Sequence, residues 1–400
     1  MFTLSRKFLI FFMSAIVFGA CSFSGSLFAF AGEASSKPGT PIDYKVEKII
    51  FSILKSTTPG SEPPPVEDIR ILLDFMMTCR GRGEDYNPEK YAGGAGIFWR
   101  ESINKPLPEV LRYFYNPNIN QELLYPSSIR VNRVSPDSGI FKLEKPVWES
   151  LDELESPISF WNREHEEITP DDFSGSYYSY ELDRLFVLFR YLDQPMLLTI
   201  SWQDGESDLG RKAGILGPYE NWDFVYSNAE GGTATGIGWA ETHMYSSATI
   251  TLMYPEGDNG EGTGYSMFKW LKAGWAGMNV VKPKHIYSGA DRTFSGIKDV
   301  VCSERSITPE QLEKIVTKVR AMDDVALRAV ARPYAEALAA GSTDDSILSR
   351  EEFQDVLAGG DYAEGLSREH LEALVMKNEL KRLLGKTVLG DAAPAPAAQE

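Results

Sequence analysis

Histidine and cysteine are scarce in this chain, and the chemistry that depends on them is narrow. Four histidines, His165, His243, His285 and His370, stand far apart. No HExxH pair occurs, which removes a helix-borne zinc-hydrolase site. The three cysteines form no CxxC, so neither a zinc knuckle nor a thioredoxin-like redox pair has its ligands. A GxSxG nucleophile elbow is absent too. Two SxxK matches exist, Ser52 to Lys55 and Ser266 to Lys269, but no Lys-Thr-Gly follows Ser266 and the partner motifs of penicillin-recognising enzymes are missing. Gly385-Lys386-Thr387 looks like the end of a P-loop, yet Leu380 stands where its first glycine belongs. Tyr91 to Gly96 is rich in glycine, but no strand pattern precedes it and half of the dinucleotide fingerprint is absent, so it reads as a loop. No cofactor and no metal site is implied. The acidic loop Glu256 to Glu261, and Asp344-Asp345 before Glu351, lack the EF-hand order of ligands.

Long hydrophobic runs are confined to the start. Arg6 and Lys7 precede an uncharged apolar run from Phe8 to Ala20, and Ala29-Phe30-Ala31 supplies a small-x-small site. This pattern predicts a signal peptide over 1–31, with the mature chain beginning at Gly32. Two rival readings are a lipobox ending at Cys21 and an uncleaved anchor from Phe8 to Ala31. The expected localisation is therefore exported, periplasmic or secreted, with a lipoprotein as the alternative. A membrane enters only if this segment is retained or Cys21 is lipidated.

Positive charge is also in deficit. The chain has 40 basic and 57 acidic residues, net −17, and loss of Arg6 and Lys7 with the leader makes it −19. A surface of that sign repels phosphate backbones, so nucleic acid is excluded as a partner class. After cleavage Cys79 and Cys302 remain. An oxidising compartment favours a disulfide between them, worth about 3–5 kcal/mol if unstrained; two free thiols are the alternative.

What is present is a β core. Arg184 to Tyr191 is apolar between its arginines, as in a strand buried on both faces, and Leu192 to Pro195 makes a turn. In Met196 to Gln203, Leu198, Ile200 and Trp202 share one face while Leu197, Thr199 and Ser201 share the other. Ser247 to Tyr254 alternates likewise, Ile250, Leu252 and Tyr254 against Thr249, Thr251 and Met253. Helices are expected over Pro41 to Lys55, from Val66 towards Gly81, over Leu107 to Tyr115 and in a short piece from Trp148 to Leu154. Ser128 to Val134 and Gly139 to Glu144 suggest a hairpin. Gly264 to Val281, with Phe268, Trp270, Leu271, Trp275 and Met278, suggests a helix packed on the sheet. Capping signatures mark helix starts at Thr169, Thr308, Ser349 and Ser367.

The expected fold class is α+β, with a central antiparallel β-sandwich-like block, a mixed N-terminal subdomain and a C-terminal helical region. The segments are a leader, helix and Pro-rich connector over 32–65, a mixed subdomain over 66–175, an aromatic-rich β domain over 176–303, a helical region over 304–390 and a tail over 391–400.

Aromatic residues cluster in the β domain, and exposed ones can stack on sugars or anchor a protein. Trp222, Trp239 and Tyr219, beside glycines, are the candidate ligand-binding residues. Paired carboxylates offer a second candidate: Glu164, Glu166 and Glu167 flank His165, and Glu241 and Asp223 lie among aromatics. The functional expectation is a noncatalytic exported module binding a glycan or an envelope protein. Its alternatives are a carboxylate-dependent glycan hydrolase and an assembly protein docking through its C-terminal helices.

Overall fold

Seven strands whose residues alternate towards two different environments form the centre of the molecule. They are β1 (Ala95–Ile103), β2 (Ile129–Val134), β3 (Ile158–Ile168), β4 (Ser179–Tyr191), β5 (Gln194–Asp204), β6 (His243–Glu256) and β7 (Gly262–Gly274). The sheet order is β1-β7-β6-β5-β4-β3-β2, antiparallel throughout and open at β1 and β2. This computed structural model describes residues 40–79, 86–171, 175–234, 238–342 and 345–391. The leader over 1–31 and residues 392–400 of the tail lie outside them. The fold is α+β, with the expected antiparallel block at its centre, and a second, three-stranded antiparallel sheet joins Ser176–Tyr177, Arg211–Ile215 and Phe224–Glu230.

One face of the large sheet is covered by α1 (Tyr44–Ser56) and α2 (Val66–Thr78). Both are amphipathic: Ile50, Ile53 and Leu54 of α1 and Ile69, Leu72, Leu73 and Met76 of α2 are buried against Phe98, Leu185, Val187, Leu198, Ile200, Ile250, Leu252, Phe268 and Trp270. Asp43 caps α1, its side chain accepting from the Lys45 N–H. The other face meets α3 (Leu107–Phe114), the short α4 (Gln121–Leu124) and α5 (Pro283–Val301). Beyond them, α6 (Pro309–Arg320), α7 (Asp324–Gly341), α8 (Glu351–Leu357) and α9 (Arg368–Leu384) pack around the three-stranded sheet. Tyr334 fastens this region, its hydroxyl accepting from the Phe224 N–H and donating to the Phe224 carbonyl.

Several local expectations hold. Turn residues Leu192 and Asp193, both with positive φ, join β4 to β5. Thr308 and Gln311 form the capping box of α6, and Ser367 caps α9. The α8 start falls one residue late, at Arg350 without a side-chain cap.

Others are corrected. Gly264 to Val281 is not a helix: its first part is β7, with Phe268 and Trp270 facing α1 and α2 while Met267, Lys269 and Leu271 face the other way. A strand covered on both faces is apolar at odd and even positions alike, which imitates helical spacing. Gly264 permits the close approach of the Tyr254 ring, which a Cβ there would meet at 2.3 Å. The hairpin over 128–144 does not form either, because β2 pairs with β3 and residues 139–142 make one 3-10 turn. Gly139 lies so close to β3 that a Cβ would stand 2.6 Å from Phe160, so the chain crosses that strand instead of pairing back. Trp148 to Leu154 is a run of turns. Thr169 starts no helix, since its hydroxyl donates to the Ser127 carbonyl; residues 172–174 lie outside the described set.

The cysteine bridge is absent as well. Both thiols are free: Cys79 is buried at the end of α2, and Cys302 is exposed at the end of α5. Those helices cover opposite faces of the sheet, which keeps the two sulfurs apart.

Candidate functional site: a polar cavity on one face of the sheet

Strand pairing brings residues far apart in sequence into one row. Lys269 on β7 faces Thr249 on β6, Thr249 faces Ser201 on β5, Ser201 faces Arg184 on β4, and Arg184 faces Asn162 on β3. All five side chains line the same cavity. One register step away, Phe268, Ile250, Ile200 and Leu185 point to the opposite, dry face. The polar row is bounded by a cavity of about 600 Å³ between the sheet, α3 and α5. Ligand sites ordinarily occupy about 300–1,000 Å³. Pro117, Asn118 and Phe141, all exposed, belong to its wall, so the cavity reaches the surface there.

Charge is concentrated at the β3–β4 side. Arg184 grips Glu164 with two contacts, Nε to Oε1 at 3.0 Å and Nη2 to Oε2 at 3.2 Å, and its Nη2 lies 3.6 Å from Glu166 Oε1. Asn132 donates to Glu164 Oε2 at 3.3 Å, and the Tyr180 hydroxyl donates to Glu166 Oε2 at 2.7 Å. Burial raises the Glu166 pKa above the usual carboxylate range, Arg184 opposes that, and the charge of Glu164 adds to it. Burial lowers the Lys269 pKa, and Glu166 opposes that. Tyr115 and Tyr125 close the wall opposite, their hydroxyls pushed upward mainly by burial. Thus the site combines a fixed guanidinium–carboxylate pair, a carboxyl that holds its proton more firmly than usual, and an amino group.

The next residue along β3 behaves in the opposite way. Burial would raise Glu167, but the His370 hydrogen bond and the charge of Arg130, 2.6 Å away, outweigh it and bring the pKa down to about 2. Arg130 also stacks 3.5 Å over the Tyr226 ring. This cluster ties β2 and β3 to α9, while the buried pair Lys381–Asp223 at 2.7 Å ties α9 to the start of the Phe224–Glu230 strand. Lys377, its pKa drawn down to about 7 by burial, donates to the Pro126 carbonyl.

The candidate aromatic residues are not brought together as an exposed platform. Trp222 is 2% exposed, with Lys386 seated 4.5 Å over its ring, because its left-handed backbone turns the indole inward. Tyr219 is half-buried, and the Trp239 side chain lies outside the described residues. Of the carboxylates singled out in the sequence, Glu164 and Glu166 line the cavity, whereas Asp223 is occupied by Lys381. Arg184, Lys269, Ser201, Thr249 and Asn162 are not among the site residues that the sequence points to. The visible signal was the run of small hydroxyls on one face of β5 and β6. Among the described residues no group of three or more His, Cys, Asp or Glu side chains could hold a metal ion, and no helix is long and apolar enough to cross a membrane. No protein-family model matches the chain, and no curated protein matches it.

Proposed function

We propose that this is an exported, noncatalytic binding protein that encloses a small organic ligand between the polar face of the sheet and α3 and α5. The observation that carries this reading is the cavity itself: a ligand-sized space lined by Lys269, Thr249, Ser201 and Arg184, where a packed core would hold apolar side chains. Keeping polar side chains on a covered face costs stability, which makes sense where a ligand uses them. Export is part of the proposal and rests on the leader sequence. An intact mass beginning at Gly32, for protein recovered from its own cells, supports it, and a full-length mass rejects it.

Hydrolysis of a glycan is the weaker reading. A glycosidase needs one carboxylate free to act on the sugar and a second holding a proton. Glu166 suits the second role, but both oxygens of Glu164 are engaged by Arg184, whose guanidinium also reaches Glu166. Release of soluble sugar from envelope polysaccharide would reverse this preference.

Native mass spectrometry of protein purified from its own cells tests the binding reading. The expected result is a noncovalent mass excess that disappears on denaturation and is absent from Ser201→Phe, which fills the cavity. No excess, with no thermal shift from a library of small metabolites and glycan fragments, would overturn it.

A further inference from the structure

Building on the reading that the cavity holds a small ligand, we propose that this ligand is an amphipathic organic monocarboxylate whose carboxylate pairs with Lys269. Lys269 stands in the middle of β7 and lines the cavity, and its ammonium has no hydrogen-bond or ion-pair partner among the described residues. The other cation of the polar row, Arg184, is committed to Glu164 and Glu166. Lys269 is half-buried and only the more distant charge of Glu166, itself held by Arg184 and Tyr180, opposes its own. An ammonium drawn from bulk water without a contacting counterion is costly, and buried charges are ordinarily paired. A ligand oxyanion supplies the missing partner.

The surroundings narrow the chemistry. Thr249 offers a hydroxyl at the paired position on β6. Trp99 on β1, diagonal to Lys269 across the β1–β7 pair and also on the cavity wall, has its indole N–H buried without an acceptor. The Trp99 nitrogen is sealed from the open space, so the donor that lacks what a carboxylate brings is Lys269. Met267 and Leu271 flank Lys269 on the same face of β7, and Ile286 and Phe294 of α5 face them, which suits an apolar body. Among the described residues of the sheet face Lys269 is the one cation without an ion pair, and Glu164 and Glu166 stand in the same row of the cavity, which favours a single negative charge there over a dianion such as a phosphate monoester.

Calorimetric titration of the full chain with decanoate, decanol and decyl phosphate, repeated on Lys269→Met, tests this. Decanoate should bind at least about tenfold tighter than decanol, and Lys269→Met should erase that preference while still binding decanol. The wild-type comparison reads the preference without depending on any variant. Equal binding of decanoate and decanol, a preference that survives in Lys269→Met, or tighter binding of decyl phosphate would overturn the inference and leave the cavity reading standing. Binding of neither decanoate nor decanol, together with no ligand lost from the purified protein in Ser201→Phe, would sink the cavity reading and the inference with it.

Discussion

The two faces of the large sheet are made by the same strands, yet they are different materials. Towards α1 and α2 the side chains are Phe98, Phe268, Trp270, Ile250, Leu252, Leu198, Ile200, Leu185 and Val187, closed by apolar stripes of both helices. Towards α3 and α5 the middle of the sheet carries Lys269, Thr249, Thr251, Ser201, Arg184 and Glu164 around open space. Apolar packing is concentrated on the first face, and the second holds the polar cavity. A sheet with both faces covered needs only one dry core to hold its strands in register, because a one-residue slip would turn every apolar residue outward.

The largest expected effects compare one substitution from each face. Phe268→Ala, on the dry face, should cost about 3–5 kcal/mol through lost burial and a cavity. Arg184→Leu should cost a similar amount, about 3–5 kcal/mol, because it leaves Glu164 buried without its partner. The two differ in their remedy. Adding Glu164→Leu should restore much of the Arg184→Leu loss in urea unfolding, whereas no charge substitution restores Phe268→Ala. If the double variant is no better than Arg184→Leu alone, the polar face is held by something other than that pair.

Smaller and pH-dependent effects come from Glu166 and Glu167, neighbours with opposite shifts. Glu167 is drawn from its usual 4.5 down to about 2, so its stabilising contribution is complete above about pH 4.5 and disappears as the pH falls towards 2. Glu166 is raised, so its contribution is complete below 4.5 and is lost as the pH climbs through its higher value. Urea midpoints across this range should show Glu167→Gln flattening the acid loss and Glu166→Gln flattening the decline above pH 4.5. The same slope in both variants would mean that these carboxyls do not sit in different surroundings.

The smallest effect separates the faces most sharply. Thr249→Val, facing the cavity, should change stability by less than about 1 kcal/mol, whereas Ile250→Ala beside it should cost about 2–4 kcal/mol. A cost of several kcal/mol for Thr249→Val would show that its hydroxyl is packed and bonded, with no ligand space before it.

Much of the β core could be read directly. The alternation of Leu198, Ile200 and Trp202 with Thr199 and Ser201, and of Ile250 and Leu252 with Thr249 and Thr251, follows from the period of two and is local to each strand. The helix starts at Thr308 and Ser367 are legible for the same reason, since a cap involves residues three apart. The site is another matter. Glu164 and Glu166 were visible as carboxylates among many, but nothing in their neighbourhood announces Arg184, and Lys269 sits in a stretch whose two-sided apolar pattern resembles a helix. Trp222 shows the reverse error, a tryptophan near glycine that the αL turn directs inward.

By itself, then, the sequence determined the α+β class, the polar and apolar sides of its central strands, the caps of two C-terminal helices and the acidic surface, because each depends on residues a few positions apart. Only the tertiary structure decided that Arg184, Ser201, Thr249 and Lys269 form one row, that Glu164 is paired while Lys269 is not, and that Cys79 and Cys302 stay on opposite sides. Those relations depend on the register between strands and on which helix covers which face. Register is a property of the assembled sheet, where one choice of pairing buries every apolar side chain at once.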